Sequence, residues 1–352
     1  MGAMSGRETA LPGRFLAAPM AEISHAGYRQ WCEDYGGADF YVTEMIGVRA
    51  LVYGSAHLPW YTESRPVDGQ TVFQLWGVHV EDFAAALPKL ARFPVPGVDV
   101  NMGCCAPLIR TKGGGISLMS DPDKAARIIE TLVKGLPEKT VSAKMRIGEE
   151  EDGDVLVSFA RRLESAGAGW IALNPRTRRD KHHRPAKWDY VRLLKENLGI
   201  PVVGNGDIAD WESFRARRDR SGADAFMIGR AAVARPWLFS HLRERERSSP
   251  ASPSGPPLRI DRSAMVEAAL VGIEEWQPPE SHVGRAKRFL SFWTRQLKFG
   301  NRLYLSIVGA GSLDAMRGIL DGYFLRNPDE AILTVERPSS SRPEEAAGSR
   351  LR

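Results

Sequence analysis

Eight short apolar runs, separated by helical patterns, constrain this sequence more than any other feature. The runs are rich in Val, Ile and Phe and are bounded by Gly, Pro or Asn, as buried parallel strands usually are. They span residues 14–18, 40–43, 71–75, 98–101, 141–144, 170–173, 201–204 and 225–228. Helical patterns lie between them, at 155–166 and 211–220 for example, and Asp121-Pro122 resembles an N-cap followed by a first-turn proline. Eight such strand–helix units predict an α/β fold, a (β/α)8 TIM barrel.

A doubly wound sheet is the alternative arrangement. Such a sheet normally carries a glycine-rich phosphate loop directly after its first strand. Here the first predicted strand ends in Ala18-Pro19-Met20 instead. The sequence therefore favours the barrel.

Changes in composition divide the chain into segments. We predict a disordered N-terminus at 1–12, the barrel at 13–246 and a linker at 247–260, where the sequence is rich in Pro and Ser. Helical periodicity at 263–276 and 283–299 predicts a small C-terminal helical bundle domain at 261–335. The polar tail at 336–352 is predicted to be disordered.

The composition is that of an ordinary globular protein, with 43% hydrophobic and 26% charged residues. No uncharged apolar run approaches the roughly 18 residues of a membrane helix, and the first residues contain no apolar signal segment. Three cysteines are too few for a disulfide framework. We expect a cytoplasmic protein with free thiols and no membrane contact. The net charge of +5 is compatible with a polyanionic partner.

Polar residues are concentrated at the carboxyl ends of the predicted strands, where TIM barrels place their active sites. The last two strands are followed by VVGNGDI and FMIGR, which place glycines and Arg230 just past the strand ends. Glycine lets backbone N–H groups approach an anion closely, so this pair of loops predicts a phosphate site. Tight turns with no ligand are the alternative explanation.

Several motifs occur in the order found in the tRNA-dihydrouridine synthases, which the segment from about residue 14 to 240 resembles. They are APMAEISHAGYR, FQLWG, DVNMGCCAPLIRTKGGGISLMSDP, SAKMRIG, IPVVGNGDI and GADAFMIGRAAVARPWLF. The resemblance implies an oxidoreductase that uses flavin mononucleotide (FMN) to reduce the C5–C6 double bond of uridine in RNA, with NADPH recharging the flavin. It also implies that the helical region binds RNA.

The resemblance implies roles for individual residues. Cys104 is the expected catalytic acid, because a thiol that is mostly protonated at neutral pH can give a proton to C5 of the uracil. Asn101 is expected to orient the uracil. Arg178 is expected to contact the substrate on separate grounds, because it lies in the basic segment 176–184 beside the proposed site. The expected FMN-binding residues are Pro19, Met20, Gln74, Lys144, Asn174, Arg176, Gly204, Asn205, Gly206, Gly229 and Arg230. No metal site is expected.

Two positions depart from the family pattern. Cys105 replaces the usual proline after the catalytic cysteine, which removes a rigid turn residue and adds a second thiol that we expect to be packing filler. Asn174 stands where histidine is usual, and asparagine can hydrogen-bond but cannot carry a charge. The nearby His182 and His183 could substitute for that histidine, or lie in a solvated loop.

Residues 281–313 contain no Asp or Glu but several basic and aromatic residues. This asymmetry predicts an RNA-binding face, on which we expect contacts from Arg285, Arg288, Arg295 and Lys298. The alternative is an amphipathic bundle helix with aromatic side chains in its core. The basic segment 176–184 is a second candidate for contacts to RNA phosphates.

The leading hypothesis is thus flavin-dependent reduction of uridine in RNA, with transfer RNA expected and ribosomal RNA as the alternative. A flavin reductase of small molecules and a non-catalytic RNA-binding protein on a decayed barrel are the other hypotheses. We expect a monomer, although the sequence leaves the oligomeric state open. The sequence does not identify the uridine that is modified.

Overall fold

The computed structural model describes residues 13–180, 184–247 and 256–335. Several predictions concern residues outside these ranges: the disordered segments 1–12 and 336–352, most of the linker (248–255), and the two histidines His182 and His183.

Eight parallel strands close into a barrel, and a ninth short strand extends its sheet. The strands are β1 (Phe15–Ala17), β2 (Phe40–Val42), β3 (Ile46–Gly47), β4 (Thr71–Trp76), β5 (Gly97–Met102), β6 (Thr140–Gly148), β7 (Trp170–Thr177), β8 (Val202–Asn205) and β9 (Ala225–Ile228). The sheet order is β2-β1-β9-β8-β7-β6-β5-β4-β3, and an additional pairing of β2 with β4 closes the ring. The two-residue strand β3 pairs only with β4 and stands outside the ring.

Helices surround this barrel, as the alternating pattern predicts. They are α1 (Ala26–Glu33), α2 (Val48–Tyr53), α3 (Leu58–Tyr61), α4 (Val80–Leu90), α5 (Pro107–Arg110), α6 (Pro122–Gly135), α7 (Gly153–Ser165), α8 (Asp189–Asn197), α9 (Trp211–Ser221), α10 (Arg230–Ala234) and α11 (Leu238–Arg247). The predicted cap of α6 is present, since the Asp121 side chain accepts a hydrogen bond from Lys124 N at 3.0 Å.

The eight predicted strands are confirmed, and the TIM barrel with them. Apolar runs identify these strands because nearly every side chain on them is buried. Strands β6 and β7 run three or more residues further than predicted. Their extensions carry Arg146 and Arg176, which are buried although they are charged. A prediction based on apolar runs in the sequence therefore ends these two strands too early, before the charged residues.

Four helices form the C-terminal region: α12 (Arg262–Trp276), α13 (His282–Trp293), α14 (Gly300–Val308) and α15 (Leu313–Arg326). The predicted helix 283–299 ends early, at Trp293, because a 3-10 turn follows and Phe299 adopts a left-handed φ of 54°. The end of the predicted linker is also ordered. There, β10 (Leu258–Asp261) pairs antiparallel with β11 (Ile332–Val335), a partner more than 70 residues away.

The helical region packs directly on the barrel through α1 and α12. Glycine at both Gly27 and Gly272 allows close contact, since a Cβ on Gly272 would lie 3.2 Å from the Gly27 carbonyl oxygen. Trp31 donates from its indole N–H to the Met265 carbonyl at 2.9 Å and stacks edge-on against Phe289. These contacts fix the helical region beside the carboxyl ends of the strands.

None of the helices in the described ranges combines the length and the hydropathy that crossing a lipid bilayer requires.

Candidate active site at the mouth of the barrel

Polar side chains from three neighbouring strands form two levels inside the barrel. Strand register places Gln74, Asp99 and Ser142 side by side in one level. Two residues further along, Asn101 stands opposite Lys144, one level nearer the mouth. Because successive inward-facing residues on a strand are two apart, the two levels are in direct contact.

The loop after β5 holds Cys104 at both of its main-chain groups. Its N–H donates to Asn101 Oδ1 at 2.9 Å, and its carbonyl accepts from Ile116 N at 3.1 Å. The Cys104 side chain is half-buried. The sulfur therefore sits on a main chain that is held in place from the barrel side and from the following 3-10 helix (Gly115–Ser120).

The KGGG motif is explained by this clamp. Gly113 and Gly115 have left-handed φ values of 87° and 58°, which disfavour other residues. A Cβ on Gly115 would also collide with the Cys104 carbonyl oxygen. Glycine at 115 thus permits the close approach that lets Ile116 N reach Cys104.

The second thiol, Cys105, is half-buried and contacts the main chain of the same loop. Cys105 Sγ lies 3.5 Å from the Gly103 carbonyl oxygen, and burial raises the pKa of this thiol. A raised pKa keeps the group protonated and weakly reactive. This position fits the expected role of packing filler.

Lys144 is a cation at the mouth of the barrel. Within the described part of the chain its ammonium has no hydrogen bond or ion pair. Burial, followed by the positive charge of Arg146, lowers the pKa of Lys144 to about 8. A half-buried cation with no hydrogen bond or ion pair among the described residues is costly, so its place at the mouth indicates an anionic or electron-rich ligand.

Gln74 and Asn101 contact each other rather than open space. Gln74 is fully buried, and its amide donates to Asp99 at 2.7 Å and accepts from Asn101 at 2.9 Å. Asn101 is 8% exposed. The structure thus gives both residues an internal role beside the ligand contacts that the family resemblance implies.

Arg176 is also engaged within the protein. It is 2% exposed, and its Nη2 lies 2.6 Å from both carboxylate oxygens of Asp207. Asn174 Oδ1 accepts from Arg176 Nη1 at 3.3 Å. Arg230 is 42% exposed and reaches the same Asp207 carboxylate at 3.3 Å. The predicted ligand residues of β7 and α10 are therefore joined through one aspartate.

The predicted phosphate loops contain glycines with different roles. Gly206 has a left-handed φ of 136°, and a Cβ there would lie 3.0 Å from Arg176 Nη1. At Gly204 a Cβ would collide with the Trp188 ring, so packing explains this glycine without a ligand. Asn205 is similarly engaged, because its Nδ2 donates to the Met227 carbonyl at 2.7 Å.

The turn after β1 lies beside the start of α10. Pro19 and Met20 are half-buried, and Met20 N donates to Ser24 Oγ at 2.9 Å. A Cβ on Gly229 would lie 3.2 Å from Met20 Sδ. The two predicted flavin contacts and Gly229 thus share one side of the barrel mouth.

The basic segment after β7 is largely paired with acidic residues. Arg178 binds Glu149, and Arg179 binds Glu150 at 2.7 Å. Lys187, just beyond the segment, binds Glu151. The acidic run that follows β6 therefore offsets much of the positive charge that the sequence presents at 176–184, including that of Arg178.

The four predicted RNA-contacting residues of the helical region fall into two groups, one buried and one exposed. Arg285 is 6% exposed and pairs with the buried Glu44 at 2.7 Å, so its guanidinium is engaged inside the protein, and a contact with RNA stays a prediction. Arg288 and Arg295 are exposed and lie over the Phe292 ring, at 5.1 and 5.2 Å. Lys298 is exposed but pairs with Asp329 at 2.8 Å.

Arg295 belongs to the same face as the barrel mouth. Burial lowers the pKa of Arg230, and the positive charges of Arg176 and Arg295 add to this effect. The three guanidinium groups must therefore be close enough to interact through space.

The comparison with known proteins agrees with this geometry. The family model "Dihydrouridine synthase (Dus)" matches residues 16–294. The chain belongs to the dihydrouridine synthase family. It is 34% identical to tRNA-dihydrouridine synthase B of Pectobacterium carotovorum, over 66% of this chain and 72% of the relative. It is 30% identical to the Pseudomonas aeruginosa protein of the same name, over 70% and 74% of the two chains.

Among solved structures, the barrel of this dihydrouridine synthase family member is similar in fold to proteins of low sequence identity. TcOYE, solved with pHBA, has a TM-score of 0.51 at 9% identity, covering 66% of this chain and 89% of that one. A 2-naphthoyl-CoA reductase has a TM-score of 0.50 at 11% identity, covering 66% and 50%. At such identities the likeness concerns the fold alone.

Three carboxylates of the site were missed in the sequence: Glu44 and Asp99, which are buried, and Asp207, which is half-buried. Asp99 had a usable signal, since it is the one charge in the buried strand Gly97–Met102 and lies two residues before Asn101. Glu44 and Asp207 follow strands β2 and β8, but their partners lie 241 and 31 residues away. Within the described residues no cluster of His, Cys, Asp or Glu could hold a metal ion.

Proposed function

We propose that this protein reduces uridine in RNA, most specifically in transfer RNA, to 5,6-dihydrouridine. The observation that carries the proposal is the position of Cys104, clamped at the mouth of the barrel near Lys144, a cation that has no hydrogen bond or ion pair with the described residues. Membership in the dihydrouridine synthase family supports the reaction, and the names of the similar proteins support transfer RNA as the substrate.

The residues present fit FMN. A flavin ring system is electron-rich when reduced, and Lys144 offers an ammonium with no partner in the described residues. The phosphate would meet Arg230, which is partly exposed, and the backbone at Gly206 and Gly229. Pro19 and Met20 would line the ring. When bound, FMN supplies the hydride for C6 of the uracil.

The chain's own residues account for the rest of the chemistry. Cys104 holds a proton at Sγ for delivery to C5 of the uracil, and its main-chain clamp fixes where that proton is offered. Positioned proton transfer of this kind contributes roughly 10²- to 10⁴-fold in rate. Burial of Gln74 and Asn101 keeps water away from the base of the site.

The RNA lies, in this proposal, along the face formed by Arg230, Arg288 and Arg295. Phe292, between the last two arginines, adds an aromatic surface on which a base can stack. A target uridine must leave its stack to enter the barrel, which costs a few kcal/mol. NADPH as the reductant, a cytoplasmic location and a monomeric state complete the proposal, and the three free cysteines are compatible with that location.

Mapping dihydrouridine across all cellular RNA tests the proposal. A strain lacking the gene should lose dihydrouridine at specific transfer-RNA positions and regain it with the wild-type gene. A matched gene carrying Cys104→Ala should not restore it. Unchanged dihydrouridine in every RNA class after deletion would refute the function, and loss in ribosomal RNA alone would refute transfer RNA as the substrate.

A further inference from the structure

The buried carboxylate of Asp99 has no part in the proposed chemistry. It is fully buried on β5, below the level of Asn101. Its Oδ2 accepts from Gln74 Nε2 at 2.7 Å, and its Oδ1 accepts from Ser142 Oγ at 2.8 Å. Burying a carboxylate is costly even when it is hydrogen-bonded. A polar group in this place therefore needs an explanation beyond packing.

Hydrogen bonds lead from this carboxylate to the catalytic loop. Gln74 Oε1 accepts from Asn101 Nδ2 at 2.9 Å. Asn101 Oδ1 in turn accepts from Cys104 N at 2.9 Å. Three hydrogen bonds thus connect Asp99 to the main chain of Cys104 through two side-chain amides.

The chemistry of the two ends fixes the direction of every bond between them. An ionised carboxylate only accepts hydrogen bonds, so Gln74 must turn its NH₂ group toward Asp99 and its oxygen toward Asn101. Asn101 must then donate to Gln74, which leaves its oxygen for Cys104. A backbone N–H only donates, so the chain closes without conflict. If both amides were reversed, the Asn101 NH₂ group would face the Cys104 N–H, and two donors cannot form a hydrogen bond with each other.

We propose that Asp99 is a positioning residue that sets the place of Cys104 by orienting Gln74 and Asn101. It acts through these amides and does not touch the reacting atoms. Its consequence for catalysis rests on the proposed function, whereas its effect on the loop does not. Small misplacements of a reacting group can cost about 10²-fold in rate, so a fixed Cys104 main chain matters.

Amide hydrogen exchange of the peptide covering residues 101–106 tests the proposal directly on the full chain. Asp99→Leu removes the terminal acceptor at similar size, and should speed exchange of the Cys104 N–H by about tenfold or more. Ser142→Ala is the matched control, because it removes the other bond to the same carboxylate and leaves the chain of amides intact. In Ser142→Ala the Cys104 N–H should exchange at a rate within threefold of the wild-type rate. Equal rates in Asp99→Leu and wild type would overturn the proposal.

A reversal experiment keeps the test decisive if Asp99→Leu does not fold. Asn101→Asp cannot donate to Gln74, and should also lose about tenfold in protection. Combining it with Asp99→Asn rebuilds a consistent chain of opposite polarity, in which Asn at 99 donates to Gln74, Gln74 donates to Asp at 101, and that carboxylate accepts from Cys104. Protection should return to within threefold of wild type. A double variant no better than Asn101→Asp would contradict the proposal.

Steady-state kinetics with transfer RNA separates this proposal from the proposed function. Asp99→Leu should lower kcat at least tenfold and change KM for RNA by less than threefold, because it displaces the proton donor and leaves the RNA-binding face unchanged. A wild-type protein that forms no dihydrouridine would refute the proposed function, while the exchange rates would still decide the role of Asp99. A kcat within threefold of wild type in an active enzyme would overturn the catalytic consequence.

Discussion

The ammonium of Lys144 is a net cost to folding in the flavin-free protein. It is partly removed from water without gaining a hydrogen bond or ion pair among the described residues, and burial lowers its pKa to about 8, although the charge of Asp99 opposes this shift. Groups whose environment disfavours their charged form are often kept for function. Removing the charge of Lys144 should therefore remove this cost to folding, and it should also weaken the binding of FMN.

Replacement of Lys144 by Met should raise the melting temperature of the flavin-free protein and weaken FMN binding by at least tenfold. The sign of the pH dependence follows from the lowered pKa. Below about pH 8 the folded and unfolded chains both carry the charge, so the full cost is present. As pH rises from about 8 towards the ordinary lysine pKa, the difference between variant and wild type should shrink. Calorimetry and FMN titration at several pH values measure both effects.

Lys139 provides the matched control for this prediction. Its ammonium donates to the carbonyls of Phe93 and Val95, at 2.7 and 2.8 Å. Lys139→Met should therefore lower the melting temperature and leave FMN affinity unchanged. A Lys144→Met protein that is less stable than wild type at neutral pH would contradict the view of Lys144 as an unpaired cation.

At the scale of elements, the loop after β5 and the 3-10 helix Gly115–Ser120 form one unit around Cys104. The clamp depends on a glycine at 115, because a side chain there would meet the Cys104 carbonyl. The neighbouring Gly113 has the same backbone handedness, but a Cβ there would lie 3.3 Å from Val78 and away from Cys104. Comparing alanine variants at Gly113 and Gly115 therefore distinguishes the effect of backbone strain from the effect of displacing the catalytic loop.

Gly113→Ala should destabilise the protein by about 1–2 kcal/mol, the usual cost of a left-handed alanine, and Gly115→Ala by more, because its Cβ would also collide with the Cys104 carbonyl oxygen. Only Gly115→Ala should also lower the rate of dihydrouridine formation, by tenfold or more. Urea unfolding measures the first effect and single-turnover assays the second. Equal activity losses in the two variants would show that strain, and not the contact with Cys104, controls the loop.

The elements also show where sequence patterns succeed and fail. Buried parallel strands are continuous apolar runs, so all eight could be found from the sequence. The charged ends of β6 and β7 could not, because Arg146 and Arg176 are buried through partners distant in sequence, such as Thr177 and Asp207. The pairing of β10 with β11 was missed for the same reason. Cys104 and Lys144 were identified by resemblance. The main-chain contacts that hold Cys104, and the lack of a hydrogen bond or ion pair from Lys144 to the described residues, could be seen only in the structure.

At the scale of the whole molecule, one buried ion pair joins the barrel to the helical region. Glu44 follows β2, Arg285 lies on α13, and both are almost fully buried. Glu44 also accepts from Glu22 N at 2.6 Å. Net charge in the sequence could not distinguish Arg285 from its exposed neighbours on the same helix.

Arg285→Ala should lower the free energy of unfolding by about 3–5 kcal/mol, because it leaves the Glu44 carboxylate buried and unpaired. Lys298→Ala, which breaks the exposed pair with Asp329, should leave the free energy of unfolding nearly unchanged, because solvent screens this pair. Guanidinium unfolding curves measure both. Similar losses in the two variants would mean that Arg285 is not the anchor of the helical region.

The exposed arginines of α13 and of the turn that follows it should act on RNA through phosphate charge. Arg288→Ala and Arg295→Ala should each weaken transfer-RNA binding and reduce the slope of log Kd against log salt by about 1. Arg192→Ala, on the outer helix α8, is the control and should leave the slope unchanged. An equal effect of all three variants would remove α13 from the RNA-binding face.

Product analysis in D₂O tests most directly whether Cys104 delivers the proton. The FMN-loaded protein, given NADPH and an unmodified transfer-RNA transcript, should form dihydrouridine with one deuterium at C5, because the thiol proton exchanges with solvent. Cys104→Ala should form the product at least 100-fold more slowly, whereas Cys105→Ala should stay within threefold of wild type. Wild-type rates in Cys104→Ala, or a loss confined to Cys105→Ala, would contradict the central role of Cys104.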